Sequence, residues 1–158
     1  MTQHDESPRP LQDRDPVAGA ERPWFAHYPP GVPRTIDVPT ESSLGEMAHQ
    51  AALRYGDRTA FSNLGGTLSF AELDDLATRV ASYLQHELGL VKGDRIVIQM
   101  PNLMQYPVIL YGALRAGLVV VGANPLYTAD ELSKVIADAE PRAIVVLANF
   151  AHTLEKVL

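Results

Sequence analysis

The chain has 158 residues, with thirteen Lys and Arg against nineteen Asp and Glu, a net charge of −6 at pH 7 and no cysteine. That length fits one domain of ordinary globular composition. The acidic balance argues against nucleic acid as a partner, because a basic face is needed to displace counterions from phosphates. Without cysteine, disulfides, thiolate metal sites and a cysteine nucleophile are excluded, and a reducing cytoplasmic setting is expected.

Residues 1–40 hold eight of the twelve prolines. The first residues carry neither a positive n-region nor an apolar h-region, so they do not read as a secretory signal. Up to Arg22 the composition is polar, charged and aperiodic, which predicts a disordered leader over 1–22. From Pro23 the text becomes PWFAHYPPGVPRTIDVP, with aromatics set among prolines. Proline removes backbone donors and pushes its predecessor toward extended geometry. Residues 23–40 therefore read as an extended strap, with Trp24, Phe25 and Tyr28 as docking groups; a linker with incidental aromatics is the alternative. The remainder, 41–158, reads as an α/β subdomain.

Three hydroxyl residues are followed three positions later by glutamate: Ser43 and Glu46, Ser69 and Glu72, Thr128 and Glu131. This is the capping-box pattern, in which side chains satisfy the free N–H groups of a helix start. It predicts helices over Leu44–Tyr55, Phe70–Leu88 and Ala129–Ala139. The second should bury a stripe of Leu73, Leu76, Ala77, Val80, Leu84 and Leu88, and the third Leu132, Val135 and Ile136. Between the first two, Asn63-Leu64-Gly65-Gly66 predicts a hairpin turn.

Three short apolar runs predict buried strands at Arg95–Met100, Leu118–Gly122 and Ala143–Leu147. A helix over Leu103–Ala116 lies between the first two, and Pro107 either kinks it or marks where its regular turns begin. From Phe150 a further helix begins. The fold class that results is α/β, a partial doubly wound sheet with parallel strands and flanking helices. The longest apolar run, Val108 to Ala123, is interrupted by Arg115 and three glycines. A spanning helix needs about 20 apolar residues.

No catalytic, cofactor-binding or metal-ligating residue can be assigned. Neither glycine-rich phosphate signature occurs, and the serine elbow and paired-histidine zinc motif are also absent. Gly112, Gly117 and Gly122 fall at packing and strand-end positions. The five histidines are far apart in sequence, and Glu72, Asp74 and Asp75 read as a solvated face in the first turns of a helix, where acids favour the dipole. One polar loop stands out: Asn124-Pro125-Leu126-Tyr127-Thr128 follows the end of a buried strand, where open α/β sheets place ligands. With Thr128 spent as a cap, Asn124 and Tyr127 are the candidates to line a substrate cleft.

The segments LSFAELDDLATRVASYLQHELGLVKGDRIVIQMPN and GALRAGLVVVGANPLYT resemble AMP-forming acyl-CoA synthetases of the adenylate-forming superfamily. PWFAHYPPGVPRTIDVP ahead of them, with NPLYT and IVVLANFAHTLEKVL behind, narrows the resemblance to the bacterial long-chain fatty-acid branch. Gly122-Ala123 depart from the more polar pair usual there. The resemblance implies a ligase that uses Mg2+ with ATP, and CoA, to turn a fatty acid into acyl-CoA, AMP and pyrophosphate. It also implies that the phosphate-holding and catalytic motifs lie beyond Leu158, so that this chain alone binds none of these and makes no acyl-AMP. The implied partners are the remainder of the ligase chain and a second copy in a homodimer. The implied location is the cytoplasm, with peripheral contact at the inner membrane. A non-catalytic interaction or dimerisation module with the same fold is the competing reading.

Overall fold

The computed structural model describes residues 22–36, 40–41 and 43–158. The leader expected over 1–22 lies, apart from Arg22, outside the described residues. Two compact units divide the chain, Met1–Pro39 and Thr40–Leu158.

In the first unit Pro23–His27 forms a 3-10 turn, where an extended path was expected. Proline suits the first position of a helical turn, because its φ is already set and its missing N–H would have no partner there. Phe25 packs edge-on against Trp24 and Tyr28, with centroid separations of 6.2 and 5.3 Å. The guanidinium of Arg34 lies 5.3 Å from the centroid of the Phe25 ring.

The second unit carries the fold. Its elements are α1 (Leu44–Tyr55), β1 (Thr59–Asn63), β2 (Gly66–Ser69), α2 (Phe70–Ser82), β3 (Arg95–Gln99), α3 (Gln105–Arg115), β4 (Val119–Ala123), α4 (Ala129–Ala139), β5 (Ala143–Val146) and a short α5 (Ala151–Leu154). The capping boxes of α2 and α4 are complete in both directions. That of α1 is half built: Ser43 Oγ accepts the Glu46 N–H at 3.1 Å, while the Glu46 carboxylate accepts from Gln50 Nε2 at 2.8 Å.

Strands β1 and β2 pair antiparallel through Leu64 and Gly65, whose φ angles are +49° and +80°. Two positive φ values in a row are what a two-residue turn needs to match the twist of its strands.

Helix α2 corrects the sequence reading at its end. Regular turns stop at Ser82 and a single π turn covers Tyr83–Glu87, with the Leu88 N–H bonded to the Tyr83 carbonyl at 3.2 Å. The wider turn shifts the helical phase of the residues after it. Leu88 is therefore 45% exposed and Leu90 is buried. Leu76 is also exposed, and the buried line runs Leu73, Ala77, Ala81, Leu84, the mixed four- and three-residue spacing of one helix face. In α3, Pro107 is the third residue of the helix. It sits in the first turn, where no intrahelical N–H bond is lost, so it neither kinks the helix nor starts it.

The core sheet has the order β4-β3-β5, all parallel. Successive residues of a strand face opposite sides, and two core clusters follow from that alternation. Ile96 packs with Ala81, Leu84, Ala113 and Leu118 on the side of α2 and α3. Val97 packs with Ala123, Leu132 and Ile136 on the side of α4. Helices cover both faces, as the doubly wound reading requires. Among the described residues no helix is long and apolar enough to cross a membrane.

Candidate functional site

The strand order reverses at β3. Its chain leaves through α3 to reach β4, and the connection from β4 then passes over β3 to reach β5. Such a switch point, at the carboxyl ends of the strands, is where open α/β sheets bind ligands. In this chain that edge is formed by Gln99, by the Asn124–Thr128 loop and by the turn after β5.

Asn124 follows β4 directly. Its Oδ1 accepts the Leu126 N–H at 2.9 Å, and its carbonyl accepts the Tyr127 N–H at 3.1 Å. The side chain thus stands in for a backbone turn, a role suited to asparagine. Tyr127 packs partly buried against the Val97–Leu132 cluster. Thr128 is spent on α4, accepting the Glu131 N–H at 3.3 Å. The hydrogen bond from the Thr128 backbone N–H to Glu131, then that from its hydroxyl, hold the Glu131 carboxyl below its usual range. Asn124 and Tyr127 therefore lie in one closed turn at the expected edge.

Gln99, which the sequence reading did not single out, is fully buried beneath that turn. Its Nε2 donates to the Asn124 carbonyl at 3.3 Å, and its Oε1 has no hydrogen-bond partner among the described residues. One glutamine at the end of an apolar run is the only signal the sequence offered.

A second cluster was also missed. Asp74 is not on a solvated face: Arg115, at the end of α3, places Nη2 against Asp74 Oδ1 and Nη1 against Thr78 Oγ1. His49 of α1 brings Nδ1 within 3.1 and 3.3 Å of the two Asp74 oxygens. Partial burial raises the Asp74 pKa, but hydrogen bonds and charge from Arg115 and His49 outweigh it and leave the carboxyl below its ordinary value. Facing a carboxylate, Nδ1 carries the ring proton. The Arg115 nitrogen 3.4 Å away is then a neighbouring donor and not a partner. Among the described residues the cluster ties α1, α2 and α3 together through the Asp74 carboxylate.

Beside the α3 N-terminus an open groove of about 430 Å³ is lined by Phe61, Asn63, Leu103, Met104, Tyr106 and Leu110, among others. The Asn63 Nδ2 bond to the Asn102 carbonyl, at 3.0 Å, ties the hairpin to its rim. Among the described residues no group of three or more His, Asp or Glu is placed to hold a metal ion.

Comparison with known proteins agrees with this architecture. The family described as AMP-binding enzyme matches residues 48–158. A long-chain-fatty-acid–CoA ligase of Yersinia pestis is 51% identical over 138 residues, covering 87% of this chain and 25% of the relative. One from Salmonella typhimurium is 49% identical over 135 residues, covering 85% of this chain and 24% of that protein. The chain thus spans about a quarter of the length of these relatives. Among solved structures, VinN in complex with 3-methylaspartate superposes with a TM-score of 0.73 at 29% identity, over 77% of this chain and 34% of that one.

Proposed function

Since the chain belongs to the AMP-binding enzyme family, we propose that it is a portion of a long-chain fatty-acid–CoA ligase. In that reaction a fatty carboxylate attacks the α-phosphate of Mg-ATP, forming acyl-AMP and expelling pyrophosphate. The thiol of CoA then attacks the acyl carbonyl and AMP leaves. The observation that carries this reading is the 51% identity over 138 residues to the Yersinia pestis ligase.

The contribution of residues 40–158 is a rigid platform. The parallel sheet holds its strand ends in register, and the Asn124–Thr128 turn presents Asn124 and Tyr127 at the edge that faces substrate. The steps of triphosphate and metal handling fall, in this reading, to the remainder of the ligase chain. The remainder of a ligase chain is the expected partner, with a homodimer as the assembly to look for. A cytoplasmic protein working peripherally at the inner membrane suits an acyl-chain substrate.

The test is fatty-acid-dependent pyrophosphate release with Mg-ATP, followed by thioester formation with CoA. It should be run on residues 1–158 and on the longest polypeptide that contains them. Turnover of long-chain acids by the longer polypeptide alone is expected. Turnover restricted to aryl or short acids would overturn the substrate assignment. Turnover by residues 1–158 themselves would place the chemistry inside this platform.

A further inference from the structure

We propose that Gln99 is the positioning residue of the strand-end loop: from inside the sheet its carboxamide sets the backbone of Asn124–Thr128 and thereby fixes where Asn124 and Tyr127 are presented. The ligand role of that loop rests on the function proposed above; the positioning rests on geometry alone.

Gln99 is the one polar side chain in the buried core of the described residues, and it follows Ile96, Val97 and Ile98 in the central strand. An aliphatic residue there would avoid the desolvation of an amide. Gln99 instead ties together the ends of both neighbouring strands. It pairs with Ala123 of β4 and Val146 of β5. Its main-chain carbonyl accepts the N–H of Leu147, the first residue after β5, at 3.2 Å. Its side-chain amide donates to the carbonyl of Asn124, the first residue after β4. The side chain therefore extends the β3–β4 ladder one step past its last backbone pair.

The step it adds falls on the atom around which the loop closes. The Asn124 carbonyl has two lone pairs, and both are used, one by Gln99 Nε2 and one by the Tyr127 N–H. The Asn124 side chain holds Leu126. Without the amide of Gln99, that carbonyl is held only from within the loop itself.

Backbone hydrogen exchange on residues 1–158 tests this. In Gln99→Met, which keeps the volume and loses the donor, the amides of Leu126 and Tyr127 should lose about tenfold in protection, while the β3–β4 ladder changes by less than about twofold. Ile98→Val, a neighbouring buried change that leaves the amide in place, should not reproduce this pattern. Gln99→Glu gives a readout that packing alone would not move. As a carboxylate it faces an acceptor and should loosen the loop; protonated by acid, it donates again and should restore protection relative to the parent at the same pH. Should Gln99→Glu not fold, Gln99→Met decides. Loop protection intact in Gln99→Met, or lost equally in Ile98→Val, would overturn the proposal.

In the longest polypeptide carrying these residues, Gln99→Met should raise KM for the fatty acid and leave kcat nearly unchanged. An unchanged KM alongside unprotected loop amides would remove the loop from the substrate site and support the positioning role.

Discussion

Arg115 and Asp74 form the brace on which three helices meet. Arg115 ends α3, Asp74 lies in the second turn of α2, and their side chains are 25% and 23% exposed. His49 of α1 joins the same carboxylate. Breaking a fully buried pair strands a charge, whereas exposed pairs contribute little. For this intermediate case Arg115→Met should cost about 1–3 kcal/mol, measured by chemical denaturation.

The same carboxylate has a pH signature. Burial lifts its pKa, Arg115 and His49 lower it further than burial lifts it, and the net folded value lies below the ordinary one. Its stabilising contribution is thus complete above the unfolded carboxylate value of about 3.9 and is lost as pH falls through the depressed folded value. Asp74→Asn should flatten that acid limb of the stability curve. An unchanged limb would show that other carboxylates dominate acid unfolding.

Helices α2 and α3 touch where Gly112 meets Val80. A Cβ built on Gly112 would lie 2.5 Å from Val80 Cγ1 and 3.0 Å from the Ala77 carbonyl oxygen. Helix propensity favours alanine over glycine by about 1 kcal/mol. Overpacking a close helix contact costs about 1–3 kcal/mol, and a backbone carbonyl cannot move aside cheaply. Gly112→Ala should therefore lower the melting temperature, and a rise would show that the helices separate freely.

Much of this architecture was legible because local signals repeat it. The Ser69 and Thr128 boxes fixed the starts of α2 and α4, and the apolar runs fixed three parallel strands to within a residue or so. Those signals depend on near neighbours. The π turn at Tyr83–Glu87 does not: nothing in the period of α2 announces it, and it moved Leu88 to the surface. The Asp74–Arg115–His49 brace joins residues 25 and 41 positions apart. No spacing rule reaches that far. Asn124 and Tyr127 were located by strand-end logic, whereas Gln99 beneath them becomes visible only when Ala123 and Val146 are placed beside it.

The hairpin turn carries a removable cost. Leu64 has φ +49° and is 95% exposed. A left-handed conformation costs an ordinary L-residue about 1–2 kcal/mol, and asparagine tolerates it far better. Leu64→Asn builds the Asn-Gly pair favoured in two-residue hairpins. It should raise stability by about 1 kcal/mol in denaturant titration, with no change in the sheet's circular dichroism. A loss of stability would mean that Leu64 makes a contact its exposure does not suggest.

The side-chain oxygen of Gln99 is a buried acceptor that a neighbouring strand can reach. Ala123 is 7% exposed and stands beside Gln99 in the parallel ladder, on the same face of the sheet. Adjacent residues of neighbouring strands lie close enough for side chains to interact. A hydroxyl at 123 is therefore placed to donate to Gln99 Oε1, which has no partner among the described residues. Two effects oppose each other in Ala123→Ser. Burying an unpaired hydroxyl costs about 1–3 kcal/mol, while meeting a buried acceptor recovers about the same. The change should thus fall within about 0.5 kcal/mol of the parent. Val121→Thr supplies the control: it adds a hydroxyl on the same face of the same strand, opposite apolar Val97, and should cost about 1–3 kcal/mol. Equal losses at the two positions would mean that the serine does not reach Gln99. A smaller loss at 123, removed when Gln99 is also changed to Met, would measure the new hydrogen bond directly, because the double-mutant cycle isolates the pair.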